Sequence, residues 1–207
     1  PIFVFLMGLL WGVGGLTYGL GIRYLGMSLG NSVVLGFCSA FGALVPPIYY
    51  NLNNTEGKET FSDMLASSGG QLVLFGVFVC LLGIAICGKA GMLKEKELSD
   101  AEKMKSVSEF NLVKGLVVAI FSGILSSFFS FGIEGGKPLA DAAVVAGYDY
   151  LYANNVTFVV ILWGGLLSNF VWITFLSIKN KSYKDLTNTA TPISKNILFS
   201  ALAGTIW

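Results

Sequence analysis

Long apolar runs separated by short polar segments make up most of this chain of 207 residues. A run of about 20 apolar residues is enough to cross a bilayer as a helix. The pattern therefore predicts five complete membrane helices and the start of a sixth. They are predicted at residues 3–24, 31–50, 71–88, 112–135, 156–178 and 196–207. The predicted fold class is all-α, a polytopic bundle of about six transmembrane helices.

The segments between these runs are predicted to be turns and polar loops. A turn is expected at 25–30, a polar loop at 51–70 and a charged linker at 89–109. Because proline lacks an N–H, Pro46 and Pro47 should bend or end the second helix, and Pro138 should halt the fourth.

Small residues recur at helical spacing on the first three predicted helices, which favours close packing on those faces. The stripe on the first helix consists of Gly8, Gly12, Gly15 and Gly19. The stripe on the second helix consists of Ser32, Gly36, Ser39 and Ala43. The stripe on the third consists of Gly76, Cys80, Gly83 and Cys87. All three cysteines of the chain lie in apolar helices, so we expect them to pack as small hydrophobes and to bind no metal.

Composition and charge exclude several classes of protein. Hydrophobic residues make up 54% of the chain, charged residues only 12%, and the net charge is +1, which argues against a soluble domain and a nucleic-acid partner. Of the 13 basic residues, all except Lys58 and Lys137 follow the first, third or fifth helix. The basic side is predicted to be cytoplasmic. Without an initial Met, and with an apolar run at its end, the chain is expected to be a fragment.

The fourth helix carries the main candidate for ion chemistry. Its polar stripe consists of Gly123, Ser126, Ser127, Ser130 and Glu134. An ionisable residue on an intramembrane stripe is a functional-site hypothesis, because an unpaired charge there is costly. Glu134, with Lys137 three residues further on, is therefore a candidate functional pair. The alternative is an ion pair at the helix end.

Aromatic and amide side chains on other helices are the candidates for binding a small ligand. Trp11 and Tyr18 are predicted to form a wall for a flat, partly apolar ligand such as a sugar ring, and Asn169 to bond hydroxyl groups. Ser130 and Trp172 complete the predicted binding residues. The alternatives are packing rings and an asparagine that joins helices. The chain has no His and no spaced carboxylate pair on one helix, which disfavours an enzyme, and no cofactor is predicted.

Four strings carry a resemblance to a known family. They are WGVGGLTYGLGIRYLGMSLG (11–30), LLGIAICGKAGMLKEKE (81–97), EFNLVKGLVVAIFSGILSSFFSFGIEGGKP (109–138) and LFSALAGTIW (198–207). Together they resemble the bacterial L-rhamnose/proton symporter family, which is similar to the drug/metabolite transporter superfamily of ten helices in two inverted halves. The resemblance implies that 1–88 holds the last three helices of the first half, 89–111 a cytoplasmic linker, and 112–207 the start of the second half.

The resemblance also implies a function. A protein of this family would import a deoxy-sugar, L-rhamnose, with protons by alternating access. Glu134 and Lys137 would then be its proton-coupling pair. Its partners would be the sugar, H⁺ and the lipid bilayer of the inner (plasma) membrane, which it crosses several times. One alternative is an exporter or importer of another small metabolite on the same fold. The other is a membrane subunit that transports nothing.

Overall fold

The computed structural model describes residues 1–53, 57–97, 111–187 and 193–206, and these residues are mostly helical. The α-helices in these ranges are α1 Ile2–Leu25, α2 Met27–Leu52, α3 Phe61–Ala66, α4 Ser68–Glu97, α5 Leu112–Gly135, α6 Lys137–Val145, α7 Asn155–Lys179 and α8 Ile193–Ile206. Two short 3₁₀ helices, Tyr150–Tyr152 and Ser182–Thr187, precede and follow α7.

Five helical segments of the described chain are long and apolar enough to cross a membrane. They are Ile2–Leu25, Met27–Leu52, Ser68–Gly91, Leu112–Val145 and Tyr150–Lys179. This confirms the predicted all-α bundle of membrane helices. The predicted fourth helix matches α5 at both ends.

The predicted turn at 25–30 is wrong, because Gly26 alone joins α1 to α2. Its backbone has φ 80° and ψ 165°, a conformation that glycine adopts without a Cβ clash. The Gly26 N–H donates to the Ile22 carbonyl at 2.7 Å, and its own carbonyl accepts from the Gly30 N–H at 3.0 Å. One residue therefore ends one helix and starts the next.

Pro46 and Pro47 do not end α2, and α5 ends at Gly135, shortly before Pro138. Helix α2 continues past Pro46 and Pro47 to Leu52, and Pro138 lies at the start of α6, where its missing N–H is not needed. Inside α2, the missing N–H groups leave the carbonyls of Gly42 and Ala43, four residues earlier, without their usual helical donors.

The segment predicted as a polar loop at 51–70 contains α3 and the start of α4. Thr60 begins α3 through a capping box with Asp63, in which each side chain bonds the other residue's backbone N–H. Helix α4 extends through Glu97, so residues 89–97 of the predicted linker are helical. The remaining linker residues up to 110 lie outside the described residues.

Helix α5 contacts three other long helices through small residues. A Cβ added at Gly123 would lie 2.7 Å from the Phe37 side chain of α2, and one added at Gly132 would lie 2.9 Å from Ile161 of α7. Towards α1, the buried Ser122 hydroxyl donates to the Gly14 carbonyl at 2.8 Å. A buried cluster at the start of α5 consists of Leu25, Val33, Val34, Leu112 and Ala119.

The glycine stripes pack only in part. Gly8 and Gly12 lie against α7, but an added Cβ at Gly15 or Gly19 would meet no atom within 4 Å. The stripe on α4 is open at Gly76 and Gly83, and Cys80 is exposed. A packed face on α4 stays a prediction, because helical spacing shows which residues share a face and not what covers it.

The chain forms two compact units, 1–168 and 169–207. The first contains α1 to α6 and the start of α7. The second contains the end of α7, the second 3₁₀ helix and α8. The predicted division into 1–88, 89–111 and 112–207 stays a prediction.

Candidate functional site

Glu134, at the end of α5, forms ion pairs with two lysines. Lys58 Nζ lies 2.7 Å from Glu134 Oε1, and Lys137 Nζ lies 2.9 Å from Oε2. The side chains of Lys58, Glu134 and Lys137 are 33%, 27% and 58% exposed. The Lys137 amine also donates to Oε1 at 3.0 Å. The carboxylate is thus held by two cations, one three residues further along the chain and one 76 residues away.

Lys58 was missed by the sequence reasoning, which paired Glu134 with Lys137 alone. The contact comes from the segment between α2 and α3, and a distant loop residue gives no periodic signal. One signal could have found it: Lys58 and Lys137 are the two basic residues assigned to the side opposite the basic one. The hydrogen bond to Glu134 raises the pKa of Lys58 above its usual value, so the amine stays charged at neutral pH.

The backbone around Lys58 is fixed at one side and turns sharply at the other. Gly57 has a positive φ of 73°, and Thr60 is held by the capping box of α3. The Ser62 hydroxyl donates to Asn51 Oδ1 at 2.8 Å, which ties α3 to the end of α2. Hydrogen bonds from the hydroxyl and N–H of Thr60 lower the pKa of Asp63, so the capping box stays ionised at neutral pH.

A polar cleft of about 380 Å³ lies beside these ion pairs. Its lining residues are Gly42, Ala43, Pro46, Pro47, Tyr50, Gly57, Lys58, Glu59, Ser130, Glu134 and Lys137. The structure thus brings together three of the residues predicted from the sequence, Ser130, Glu134 and Lys137. The volume is within the range of about 300–1,000 Å³ that is usual for small-molecule sites.

The two prolines of α2 give this cleft unusual acceptors. The carbonyls of Gly42 and Ala43 lack their helical donors, and both residues line the cleft with the prolines. Ser130 lies against Gly42, since an added Cβ there would be 3.2 Å from its hydroxyl oxygen. Acceptor carbonyls, a hydroxyl and ammonium groups in one small cleft suit a ligand with several hydroxyl groups.

A second, apolar cleft of about 470 Å³ adjoins the polar one. It is lined by Phe3, Met7, Val45, Pro46, Tyr49, Tyr50, Phe128, Phe131, Glu134 and Gly135. The two clefts share Pro46, Tyr50 and Glu134. Glu134 therefore lies where a polar and an apolar surface meet.

The rest of the predicted polar stripe on α5 serves mainly packing. The Ser127 hydroxyl bonds the Ile124 carbonyl of its own helix at 2.6 Å, and Ser126 lies beside Gly14 of α1. Gly123 admits α2. Of this stripe, Ser130 and Glu134 line the polar cleft.

The two aromatic residues predicted on α1 have different neighbours. The Trp11 ring lies 5.2 Å from the Phe129 ring, centroid to centroid, and covers Gly165 of α7. The Tyr18 hydroxyl donates to Asn31 Oδ1, and its ring packs on the buried cluster at the start of α5. Neither is among the described residues that line the two clefts.

Asn169 and Trp172 belong to the second unit. Asn169 is half-buried, and the Trp172 ring lies 5.9 Å from that of Phe175 in the next turn of α7. Trp172 as a whole is 44% exposed. Over the described parts of the chain, no three His, Cys, Asp or Glu side chains lie close enough to hold a metal ion.

A family model described as L-rhamnose-proton symport protein (RhaT) matches residues 1–207. The chain belongs to this family. The five apolar helical segments agree with membership, and the protein is a multi-pass membrane protein. The family predicted from the four sequence strings is confirmed.

Named relatives of this symporter family are similar over nearly the whole chain. The L-rhamnose-proton symporter of Yersinia pestis bv. Antiqua (strain Antiqua) is 40% identical over 99% of this chain and 57% of its own length. That of Yersinia pseudotuberculosis serotype O:1b (strain IP 31758) is 40% identical over 99% of this chain and 56% of its own length. The chain thus spans little more than half the length of these relatives. No solved structure matches the chain.

Proposed function

We propose that the protein, as part of a complete symporter, imports L-rhamnose together with protons across the inner membrane. The observation that carries this proposal is membership of the symport family over all 207 residues. Two relatives at 40% identity are named L-rhamnose-proton symporters, which supports the same substrate pair. The proposal concerns the complete protein, because the chain covers 57% of the first of these relatives.

We propose Glu134 as the group that takes up the proton. A symporter needs a group that changes its charge during the transport cycle, and a carboxylate in a membrane helix can do this. Glu134 lies in the apolar segment Leu112–Val145, where its charge is balanced by Lys58 and Lys137. Neutralising the carboxylate would remove two ion pairs at once, so the protonated and charged forms favour different arrangements of the surrounding residues.

The sugar path is proposed to include the polar cleft at Ser130. The freed carbonyls of Gly42 and Ala43 would accept hydrogen bonds from hydroxyl groups, and the adjoining apolar cleft would take the deoxy carbon and the apolar face of the ring. Trp11, Tyr18, Asn169 and Trp172 remain proposed from the sequence as further residues of this path.

The larger architecture is also a proposal. Ten helices in two inverted halves, as in the drug/metabolite transporter superfamily, would place the start of the second half at Leu112. Rocking of one half against the other would then give alternating access, with the basic side in the cytoplasm.

Uptake by the complete protein in proteoliposomes tests the function. When the solution outside the proteoliposomes is more acidic than the lumen, L-rhamnose should accumulate inside above its external concentration. An uncoupler should abolish this accumulation. Glu134→Gln should lose this uphill uptake yet keep downhill exchange of labelled sugar, because the variant binds sugar but cannot change its charge.

The matched control is Asp141→Asn, which removes an exposed acid on α6 that lines neither cleft. It should accumulate sugar as the parent does. Accumulation by Glu134→Gln equal to that of the parent would show that the proton binds elsewhere. Absence of L-rhamnose uptake by the parent would reject the function itself.

A further inference from the structure

Residues 57–60 form a short strap across the polar cleft, and Lys58 is its contact with α5. The strap turns at Gly57, where φ is 73°, and it is anchored at Thr60 by the capping box of α3. Gly57, Lys58 and Glu59 all line the cleft. Among the described residues, the hydrogen bond from the Lys58 amine to Glu134 is the one that joins the strap to α5.

The contact between the strap and α5 is an ion pair, so this contact depends on the charge of Glu134. Lys58 Nζ also lies 5.8 Å from the centroid of the Tyr50 ring, which is a cation–π contact with a residue of α2. The other end of the strap is held independently of this charge, through the α3 cap and the bond from Ser62 to Asn51. Thr60 is thus held by the cap of α3, and Lys58 contacts α5 through its ion pair with Glu134.

We propose that Lys58 is a positioning residue for coupling: it holds the strap closed over the polar cleft while Glu134 is ionised and releases it when Glu134 takes a proton. The proposal rests on the proposed role of Glu134 in proton-coupled transport. Lys58 thereby links the binding of a proton at Glu134 to the opening of the polar cleft.

The charges around Glu134 favour this release. The described titratable groups that line the two clefts with it are Lys58, Lys137, Glu59, Tyr49 and Tyr50. When a proton from solution binds the carboxylate, the two ammonium groups stay protonated and lose their shared anion. Their mutual repulsion then acts against the closed strap.

Distance measurements between spin labels test the strap directly. One label is placed on the strap by Glu59→Cys and the other beyond α6 by Tyr148→Cys, a residue that is 66% exposed. Cys38, Cys80 and Cys87 are first replaced by Ala, and the complete protein is studied in nanodiscs without sugar. We expect a narrow distance distribution at pH 8 and a broader, longer one at pH 3.5, because the two ammonium groups favour the ionised form of Glu134 and the proton binds only in acid.

Variants identify the ion pair as the cause. Lys58→Gln and Glu134→Gln should each give the broad distribution at pH 8, whereas Lys58→Arg should keep the narrow one. Lys114→Gln, which removes an exposed lysine from the opposite end of α5, should behave as the parent. An unchanged narrow distribution in Lys58→Gln would overturn the proposal. A parent distribution that is equally narrow at both pH values would overturn it too.

The pH profile of uptake gives a second readout, which a merely structural lysine would not move. Removing a cation beside a carboxylate favours its protonated form, so Lys58→Gln should raise the pH of half-maximal uptake by about one unit. Lys58→Arg should restore the parent profile. An unshifted profile in Lys58→Gln would reject the coupling role. Because the spin-label experiment needs no transport, pH-dependent strap opening without L-rhamnose uptake would reject the proposed function alone.

Discussion

At the scale of single residues, Gly8 and Gly15 share one predicted stripe on α1 but have opposite surroundings. A Cβ added at Gly8 would lie 2.1 Å from the Ile161 carbonyl oxygen, a backbone atom of α7. A Cβ added at Gly15 would meet no atom within 4 Å. The first position therefore sets how closely two helices approach, and the second does not.

We predict that Gly8→Ala destabilises the complete protein and that Gly15→Ala does not. At Gly8 the two helices must move apart, and overpacking of this kind costs about 1–3 kcal/mol. At Gly15 the better helix propensity of alanine, about 1 kcal/mol, is gained without a clash. Unfolding in detergent, followed by circular dichroism with increasing denaturant, compares the two variants with the parent. Equal midpoints for Gly8→Ala and the parent would contradict the close contact.

The same comparison shows how far residue roles could be predicted from the sequence. Helical spacing identified Glu134 at the end of a polar stripe and Ser130 one turn before it, because both depend on local geometry. It did not identify Lys58, whose partner is 76 residues away. It also could not separate Gly8 from Gly15, since each depends on which helix lies opposite.

At the scale of helices, Gly26 is the whole connection between α1 and α2. Its φ of 80° with ψ of 165° belongs to a region that side chains with a Cβ rarely adopt. Both of its backbone polar groups are used, the N–H by α1 and the carbonyl by α2. The connection therefore has no other residue whose backbone could adjust if position 26 were strained.

We predict that Gly26→Ala lowers stability by about 1–3 kcal/mol, the usual cost of a residue forced into such a conformation. Met27→Ala is the matched control, because Met27 is helical and 70% exposed. Thermal unfolding of both variants in detergent measures the difference. A Gly26→Ala protein with the stability of Met27→Ala would show that the joint can take another conformation.

The helices themselves were largely predictable because bilayer thickness dictates their length. Their ends were not, for reasons that differ from one element to the next. The capping box at Thr60 adds α3 within a polar segment. Pro46 and Pro47 are tolerated inside α2, where they line the polar cleft together with Gly42 and Ala43. In both places a local interaction overrides the composition of the segment.

At the scale of the molecule, the first unit has two chemically different ends. One end gathers Lys58, Glu134 and Lys137. At the other, the Asn111 N–H donates to the Tyr24 carbonyl at 3.1 Å, which brings the start of α5 to the end of α1. Arg23 and Lys114 lie within three residues of this contact, whereas Lys58 and Lys137 are the two basic residues predicted for the opposite side. The structure thus groups the two exceptions at one ion-paired site.

This separation gives a topology prediction for intact cells. The Lys- and Glu-rich segment 89–109 should face the cytoplasm, because basic residues are retained on that side, and the strap with Glu59 should face outward. In a protein with Cys38, Cys80 and Cys87 replaced by Ala, a membrane-impermeant maleimide should label Glu59→Cys from outside. It should label Ser99→Cys, which lies outside the described residues, only after the cells are permeabilised. External labelling of Ser99→Cys would invert the orientation and place the Glu134 ion pairs on the cytoplasmic side.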